Sequence, residues 1–221
     1  RSTLFPYTTL FRSERCHIHQ GNQGDTWLAV QIAPGTSGVL PAGLTVWTGE
    51  KLEWPTSQMF LTKRPQAVNA LLNGMDLYTW SGAIPALAAG ATQADLQIGI
   101  GNQLQVDTVR DVIRNGTITH LLVQEWKNPA TGTAAGADSA KRQLLELVGG
   151  VTGGQRAESL QDPLFPAPNN WLLRVHWREQ DALRANYCFE VECNTVRVTG
   201  VSLFHGNLLE ASQRSDRKSV V

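Results

Sequence analysis

Short apolar runs that end at Gly or Pro are the feature that most limits what this chain can fold into. TWLAVQIAP (26–34) is followed by Gly35, and LPAGLTVWTG (40–49) opens with a Pro-Ala-Gly turn signal. Apolar runs of this length between turn residues are typical of strands, because helices usually need ten or more residues. The pattern therefore predicts a mainly β protein.

Further strands and two helices are predicted in the same way. The other strand patterns are MFLTKR (59–64), the alternating segment at 96–100, ITHLLVQEW (118–126), KRQLLELVGG (141–150), NWLLRVHW (170–177), YCFEVEC (187–193) and TVRVTGVSLFHGNLLEA (195–211). RPQAVNALLNG (64–74) has Pro near its start and Gly at its end, which favours a short helix or helical turn. VDTVRDVIRNG (106–116) has apolar residues at helical spacing, although its β-branched residues count against a helix. The expected fold is β-rich α+β, with short strands in sandwich- or barrel-like modules and one or two short helices.

The two ends of the chain resemble a translated sequencing adapter. The codons ACG ACG CTC TTC CGA TCT encode TTLFRS (8–13), and their reverse complement, read from its second base, encodes DRKSV (216–220). We therefore expect 1–13 and 216–221 to be non-native and set them aside from fold prediction. The part between them is expected to be an internal fragment of a larger, metagenomic gene product.

The part between the ends has little net charge. It contains 15 basic and 18 acidic residues, a net charge of −3. This balance lacks the basic surface expected of a nucleic-acid or anionic-membrane binder, and no apolar stretch approaches the length of a membrane span. The three cysteines, Cys16, Cys188 and Cys193, are too few and odd in number for a disulfide framework. The composition fits a reducing bacterial cytoplasm.

No strong catalytic, cofactor or metal signature is found in the sequence. The run Cys16-His17-Ile18-His19 is the most metal-like, and a site that joins it to one of the two distant cysteines is the metalloenzyme alternative. Ser202 and His205 lack a nucleophile-elbow motif, and Gly99-Ile100-Gly101 lacks the third glycine of a dinucleotide fingerprint. We therefore predict a protein that is not an enzyme, with no catalytic residue, cofactor, metal or small-molecule substrate.

Seven tryptophans provide a second alternative. They are Trp27, Trp47, Trp54, Trp80, Trp126, Trp171 and Trp177. Several exposed aromatic side chains on a β scaffold would indicate a β-sandwich module that binds glycans or proteins. Most of these tryptophans lie inside apolar runs, so core packing is the favoured interpretation.

The domain organisation is predicted from composition. VTGGQRAESLQDPLFPAPNN (151–170) is rich in Gly, Pro and Asn and has the composition of a linker. The chain is therefore expected to contain a β-rich module at 14–150, the linker at 151–170, and a second, truncated β segment at 171–215.

A family resemblance appears at EWKNPATGTAAGADSAKRQLLEL (125–147). An apolar strand with an acidic end, a Pro-x-Thr-Gly turn, an Ala-Asp pair and a second strand resemble the baseplate assembly proteins. These are the J-like wedge components of phage tails and contractile injection systems. Other elements in that family's order are LPAGLTVWTGE (40–50), FLTKRPQAVNAL (60–71), LYTWSGAIPALAAGATQADL (77–96), Asp162-Pro163-Leu164, LLRVHWREQDAL (172–183) and VSLFHGNLLEA (201–211). The chain departs from the family at Asn115-Gly116-Thr117 and at Arg184-Ala185-Asn186, where Gly-Asp and Pro-Phe are usual.

The resemblance implies a structural role in a baseplate wedge. The partners would be other baseplate subunits in a ring around a tail tube. The location would be the bacterial cytoplasm during assembly and then the phage or tail-like particle. Because loops on a rigid scaffold carry recognition, we expect the contacts in 127–140 and 151–170. The candidate contact residues are Asn128, Pro129, Thr131, Gly132, Asp138, Lys141, Arg142, Asp162, Pro163 and Leu164.

Overall fold

The computed structural model describes residues 24–48, 58–148 and 156–213, and the backbone of 9–11. This part of the chain is mainly β, as predicted. Its strands are β1 Thr9–Phe11, β2 Asp25–Ala29, β3 Ser37–Leu40, β4 Thr45–Trp47, β5 Met59–Thr62, β6 Gln66–Asn69, β7 Asp76–Leu77, β8 Ala86–Leu87, β9 Gln93–Gln97, β10 His120–Glu125, β11 Arg142–Glu146, β12 Ala157–Gln161, β13 Trp171–His176, β14 Tyr187–Cys188, β15 Glu190–Cys193, β16 Val196–Thr199, β17 Ser202–His205 and β18 Leu208–Gln213. The α-helix α1 spans Gln103–Arg114, and 3₁₀ turns span Ala70–Leu72 and Glu179–Asp181. The predicted adapter segments lie outside the described residues, apart from β1.

The chain divides into two compact units. Unit 1 is formed by 1–70 together with 207–221, and unit 2 by 71–206. Unit 2 is therefore an insertion in the chain of unit 1.

The observed division differs from the predicted modules at 14–150 and 171–215. Strand β12 begins at Ala157, inside the predicted linker 151–170, and pairs with β13 in an antiparallel hairpin. The Gly- and Pro-rich composition that suggested a linker belongs in part to the loop of this hairpin.

Unit 1 is built on an antiparallel sheet. Its strand order is β1-β2-β18-β5-β4, and a separate ribbon pairs β3 with β6. Side chains alternate across a strand, so β5 buries Phe60 and Thr62 while Met59 and Leu61 are less covered. The buried apolar residues of this unit are Leu28, Phe60, Val68, Leu209 and Ala211.

Unit 2 contains the larger core. Two sheets, β11-β10-β17 and β12-β13-β9-β7, are accompanied by the short pairs β14-β8 and β15-β16. Helix α1 packs on β12 and β13, and its buried residues Val106, Val109 and Ile113 recur at helical spacing. The side chain of Asn102 caps its first turn by accepting the Gln105 N–H at 2.9 Å. The helix predicted at 106–116 is thus confirmed, one turn longer at its start.

The short helix or helical turn predicted at 64–74 is present only as a 3₁₀ turn, and a strand precedes it. Gln66–Asn69 forms β6, and only Ala70–Leu72 forms a 3₁₀ turn. The side-chain amide of Asn207 accepts the backbone N–H of Asn69 and donates to its carbonyl, each at 2.9 Å. These two bonds, together with the pairing of β6 with β3, satisfy the backbone in an extended conformation, which outweighs the local helix signals.

Gly206 is a packing constraint of unit 2 that a substitution can test. A Cβ at Gly206 would lie 2.9 Å from Leu72 Cδ2 and 3.3 Å from Leu121 Cδ2. We expect Gly206→Ala to lower the unfolding free energy by about 1–3 kcal/mol, because overpacking a core costs that much. Urea unfolding measures the change. The matched control is Gly24→Ala, since the atom nearest to a Cβ there would be Gln213 Oε1 at 3.5 Å, an ordinary van der Waals contact; an equal loss in both variants would contradict the prediction.

Candidate functional site

The predicted contact loop 127–140 is fixed at its base by the buried carboxylate of Glu125. Glu125 Oε1 accepts the backbone N–H of Asp138 at 2.9 Å, and Oε2 pairs with Lys141 Nζ at 3.0 Å. The Lys141 ammonium also lies 5.5 Å from the ring centroid of Tyr187. A carboxylate buried among apolar strands needs such partners, so the two ends of the loop are held together.

The start of the same loop is folded around Asn128. Its Oδ1 accepts the Ala130 N–H at 2.8 Å, and its Nδ2 donates to the Gly136 carbonyl at 3.1 Å. The Asn128 backbone N–H donates to the Thr133 carbonyl at 2.8 Å. One side chain therefore organises both sides of the loop by local hydrogen bonds.

The loop is also packed on the β15-β16 hairpin. Lys127 Nζ donates to the Thr199 carbonyl at 2.6 Å, and the Cys193 thiol lies 3.7 Å from the Ala130 carbonyl oxygen. Gly132 has φ +70°, and a Cβ there would lie 2.9 Å from Val198 Cγ2. Glycine is therefore required at this position both for its backbone conformation and for the close approach.

The second predicted contact region contains a compact loop at 162–170. Asp162 is buried; its Oδ2 accepts the Tyr78 hydroxyl proton and its Oδ1 accepts the Leu164 N–H, each at 2.8 Å. Asn170 Nδ2 donates to the carbonyls of Asp162 and Phe165 at 2.9 and 3.0 Å. Burial, followed by the hydrogen bond to Asp162, raises the pKa of Tyr78 to about 12, so this hydroxyl remains a donor at neutral pH.

The ten candidate contact residues separate into anchors and exposed positions. Asn128, Asp162 and Lys141 hold their loops by hydrogen bonds or ion pairs, and Pro129, Gly132 and Arg142 are half-buried. Asp138 is exposed, but its carboxylate accepts the Ala140 N–H at 2.9 Å and shapes the turn. Thr131, Pro163 and Leu164 remain exposed at the loop surfaces, and Leu164 is 92% exposed.

A network of polar side chains in unit 2, centred on the Asp95 carboxylate, was not predicted from the sequence. Arg174 on β13 forms two hydrogen bonds with the Asp95 carboxylate on β9, at 2.7 and 2.9 Å. The Trp80 indole N–H donates to the same carboxylate at 2.9 Å. Trp80 and Ser81 both have positive φ, 50° and 59°, and this indole–carboxylate bond helps to hold the strained turn. No local sequence signal marks such a cross-strand pair.

Ser202 and His205 do not form a nucleophile–base pair. In β17, Ser202 faces Glu125 and His205 faces Leu122 of the neighbouring strand. His205 Nδ1 accepts the Gly74 N–H at 3.2 Å, while His205 Nε2 and Ser202 Oγ are buried and have no hydrogen-bond partner among the described residues. Burial lowers the pKa of His205 to about 4, so the imidazole is neutral at neutral pH.

Only part of the alternative Cys/His metal site lies within the described residues. Cys16, His17 and His19 lie outside the described residues, whereas Cys188 and Cys193 are half-buried free thiols. Within residues 24–48, 58–148 and 156–213, no three His, Cys, Asp or Glu side chains come together as a metal site would require. No helix in that part of the chain is both long and apolar enough to cross a membrane.

The tryptophans differ in exposure. Trp47 in unit 1 is 40% exposed and Trp126 in unit 2 is 39% exposed, whereas Trp177 is buried. Trp27, Trp80 and Trp171 are half-buried, and Trp54 lies outside the described residues. Of the six tryptophans that the structure describes, one is therefore buried in the core, three are half-buried and two are exposed.

Comparison of the chain with protein-family models, curated proteins and solved structures finds no match. The resemblance to baseplate proteins therefore rests on the sequence elements that carry it.

The Glu125 anchor generates a prediction about loop 127–140. We expect Glu125→Ala to lower the unfolding free energy by about 3–5 kcal/mol and to make the loop sensitive to limited proteolysis, because the Asp138 N–H and the Lys141 ammonium lose their partner. The control is Glu192→Ala, which removes an exposed carboxylate from the adjacent hairpin. Proteolytic fragments mapped by mass spectrometry would show the opening, and an unchanged cleavage pattern would exclude the anchoring role.

The buried imidazole of His205 generates a pH prediction. Its pKa is about 4 in the folded chain against an ordinary value of 6.5, so the unfolded chain binds more protons between these pH values. Stability should therefore fall as the pH falls from 6.5 to about 4, by about 3 kcal/mol from this group. Urea unfolding at several pH values should show that His205→Gln reduces this loss relative to the parent chain. Identical pH slopes in parent and variant would contradict it.

Proposed function

We propose that this chain is a structural part of a baseplate wedge in a phage tail or tail-like contractile injection particle. It acts by assembling with neighbouring subunits and not by catalysis. The observation that carries the proposal is the construction of loop 127–140. This loop lies in the segment with the most detailed resemblance to the baseplate family, and it is fixed by Glu125, Asn128 and Lys127.

A fixed loop suits an assembly role for a physical reason. A loop that is already ordered loses less conformational entropy when it binds, so more of its contact energy contributes to affinity. Loop 127–140 keeps its polar anchors inside and exposes Thr131 and its neighbours. Loop 162–170 has the same design, with Asp162 inside and the Leu164 side chain exposed.

The contact is proposed to involve both loops in a ring around the tail tube. The exposed apolar side chains of Leu164 and Phe165 would supply buried area, and the Thr131 region would supply hydrogen bonds. Asp138, Lys141 and Arg142 contribute mainly by shaping the first loop or by flanking it. In this proposal the particle assembles in the bacterial cytoplasm.

The proposal is tested by particle assembly. Thr131→Glu and Leu164→Glu should each leave the fold intact but lower the number of complete particles at least tenfold in a reconstituted system, because a charge would be buried in the contact. Electron microscopy counts the particles, and urea unfolding confirms that the subunit is stable. Ile84→Glu is the control, an exposed apolar residue outside both loops. Normal assembly of both loop variants would refute the proposed contact.

A further inference from the structure

Strand β3 of unit 1 has one edge that no strand of the described chain covers. It pairs with β6 alone, in the register Ser37↔Asn69, Gly38↔Val68, Val39↔Ala67 and Leu40↔Gln66. The orientation of the pair Ser37↔Asn69 follows from the bonds of Asn69. Its N–H and C=O are both occupied by the Asn207 side chain, so they point away from β3. In an antiparallel pair of this kind, the backbone groups of the opposite residue also point outward.

The outward direction alternates along β3. The Ala70 N–H donates to the Thr36 carbonyl at 3.0 Å, which places Thr36 in the hydrogen-bonded set that faces β6. Gly38 and Leu40 belong to the same set, because successive residues point to opposite sides. The N–H and C=O groups of Ser37 and Val39 therefore lie on the open edge, and no hydrogen bond from the described residues reaches that edge.

The chain segment that contains this edge carries no charge. From 26 to 49 the sequence contains no Asp, Glu, Lys, Arg or His. The Val39 side chain is 67% exposed, and a Cβ at Gly38 would have open space around it. Natural edge strands are usually protected by a charged side chain, a proline or a bulge. Pro34 and Pro41 lie outside β3, so its four residues have none of these protections.

We propose that β3 pairs with β3 of a second copy of this chain, antiparallel and across a twofold axis at Gly38. Ser37 then faces Val39 of the second copy, and the two symmetric pairs form four backbone hydrogen bonds. Gly38 faces its own counterpart in the closely spaced pair, where the strands approach to about 4.5 Å and no side chain intervenes. Because the segment 26–49 is uncharged, self-pairing of β3 places no like charges opposite each other on the two paired strands. The pairing stands on unit 1 alone and does not depend on the baseplate role.

Analytical ultracentrifugation of the full chain over a range of concentrations tests the pairing. The parent should form a reversible dimer, and Val39→Lys should weaken its association at least tenfold, because a lysine protects an edge strand. The double change Ser37→Glu with Val39→Lys should restore the dimer, since the register places each new carboxylate opposite the lysine of the other copy. Val196→Lys is the matched control: Val196 is a strand residue of similar exposure, 62%, in unit 2.

Amide hydrogen exchange provides a readout that depends on the register. Raising the chain concentration should protect the Ser37 and Val39 N–H groups, whereas those of Gly38 and Leu40, which already face β6, should change little. A chain that stays monomeric at millimolar concentration would overturn the proposal. A dimer that survives Val39→Lys, or one that Val196→Lys also abolishes, would overturn it as well.

Discussion

The hydrogen bonds that join the two ends of unit 2 are the constraint on which both units depend. The Gly206 N–H donates to the Leu72 carbonyl at 2.9 Å, and Met75 and Phe204 exchange two backbone bonds at 2.7 and 2.9 Å. A unit inserted into another chain segment must bring its own ends together, and that closure costs entropy that grows only slowly with length. Once closed, 71–206 can fold around its own core, although it separates the two segments of unit 1 in the sequence. Inside unit 1, the two hydrogen bonds between the Asn207 side chain and the Asn69 backbone join its two chain segments in a similar way.

The fold class was predictable because the elements of this chain are local. Strand β10 and helix α1 follow from apolar runs, periodicity and caps that a short window contains. The segment 64–74 shows the limit of such windows: its Pro and Gly favour a helix, but β6 is held extended by Asn207, which is 138 residues from Asn69. The insertion of unit 2 was not predictable for the same reason. Composition marks loops, and it does not reveal which strands pair across them.

The candidate site was predictable in outline and not in detail. A polar, Gly-rich segment at 127–140 indicated a loop, and the structure contains one. Which of its residues are anchors depends on Glu125, whose burial follows from the strands around it. Asp162 was selected for contact with a partner, but it lies inside and binds Tyr78, 84 residues away in sequence. The Asp95–Arg174 pair, separated by 79 residues, has no local pattern at all.

The position of β18 has a consequence for how the chain folds as it is synthesised. This strand lies between β2 and β5 in the sheet of unit 1, yet it follows the whole of unit 2 in sequence. The ribosome therefore releases every strand of unit 2 before the strand that joins β2 to β5 exists. Domains generally fold as units during synthesis, so unit 2 can be complete while β2 and β5 still expose unpaired edges. During that interval unit 2 of the nascent chain is folded while the sheet of unit 1 is still incomplete. The open edges of β2 and β5 can then pair with other chains.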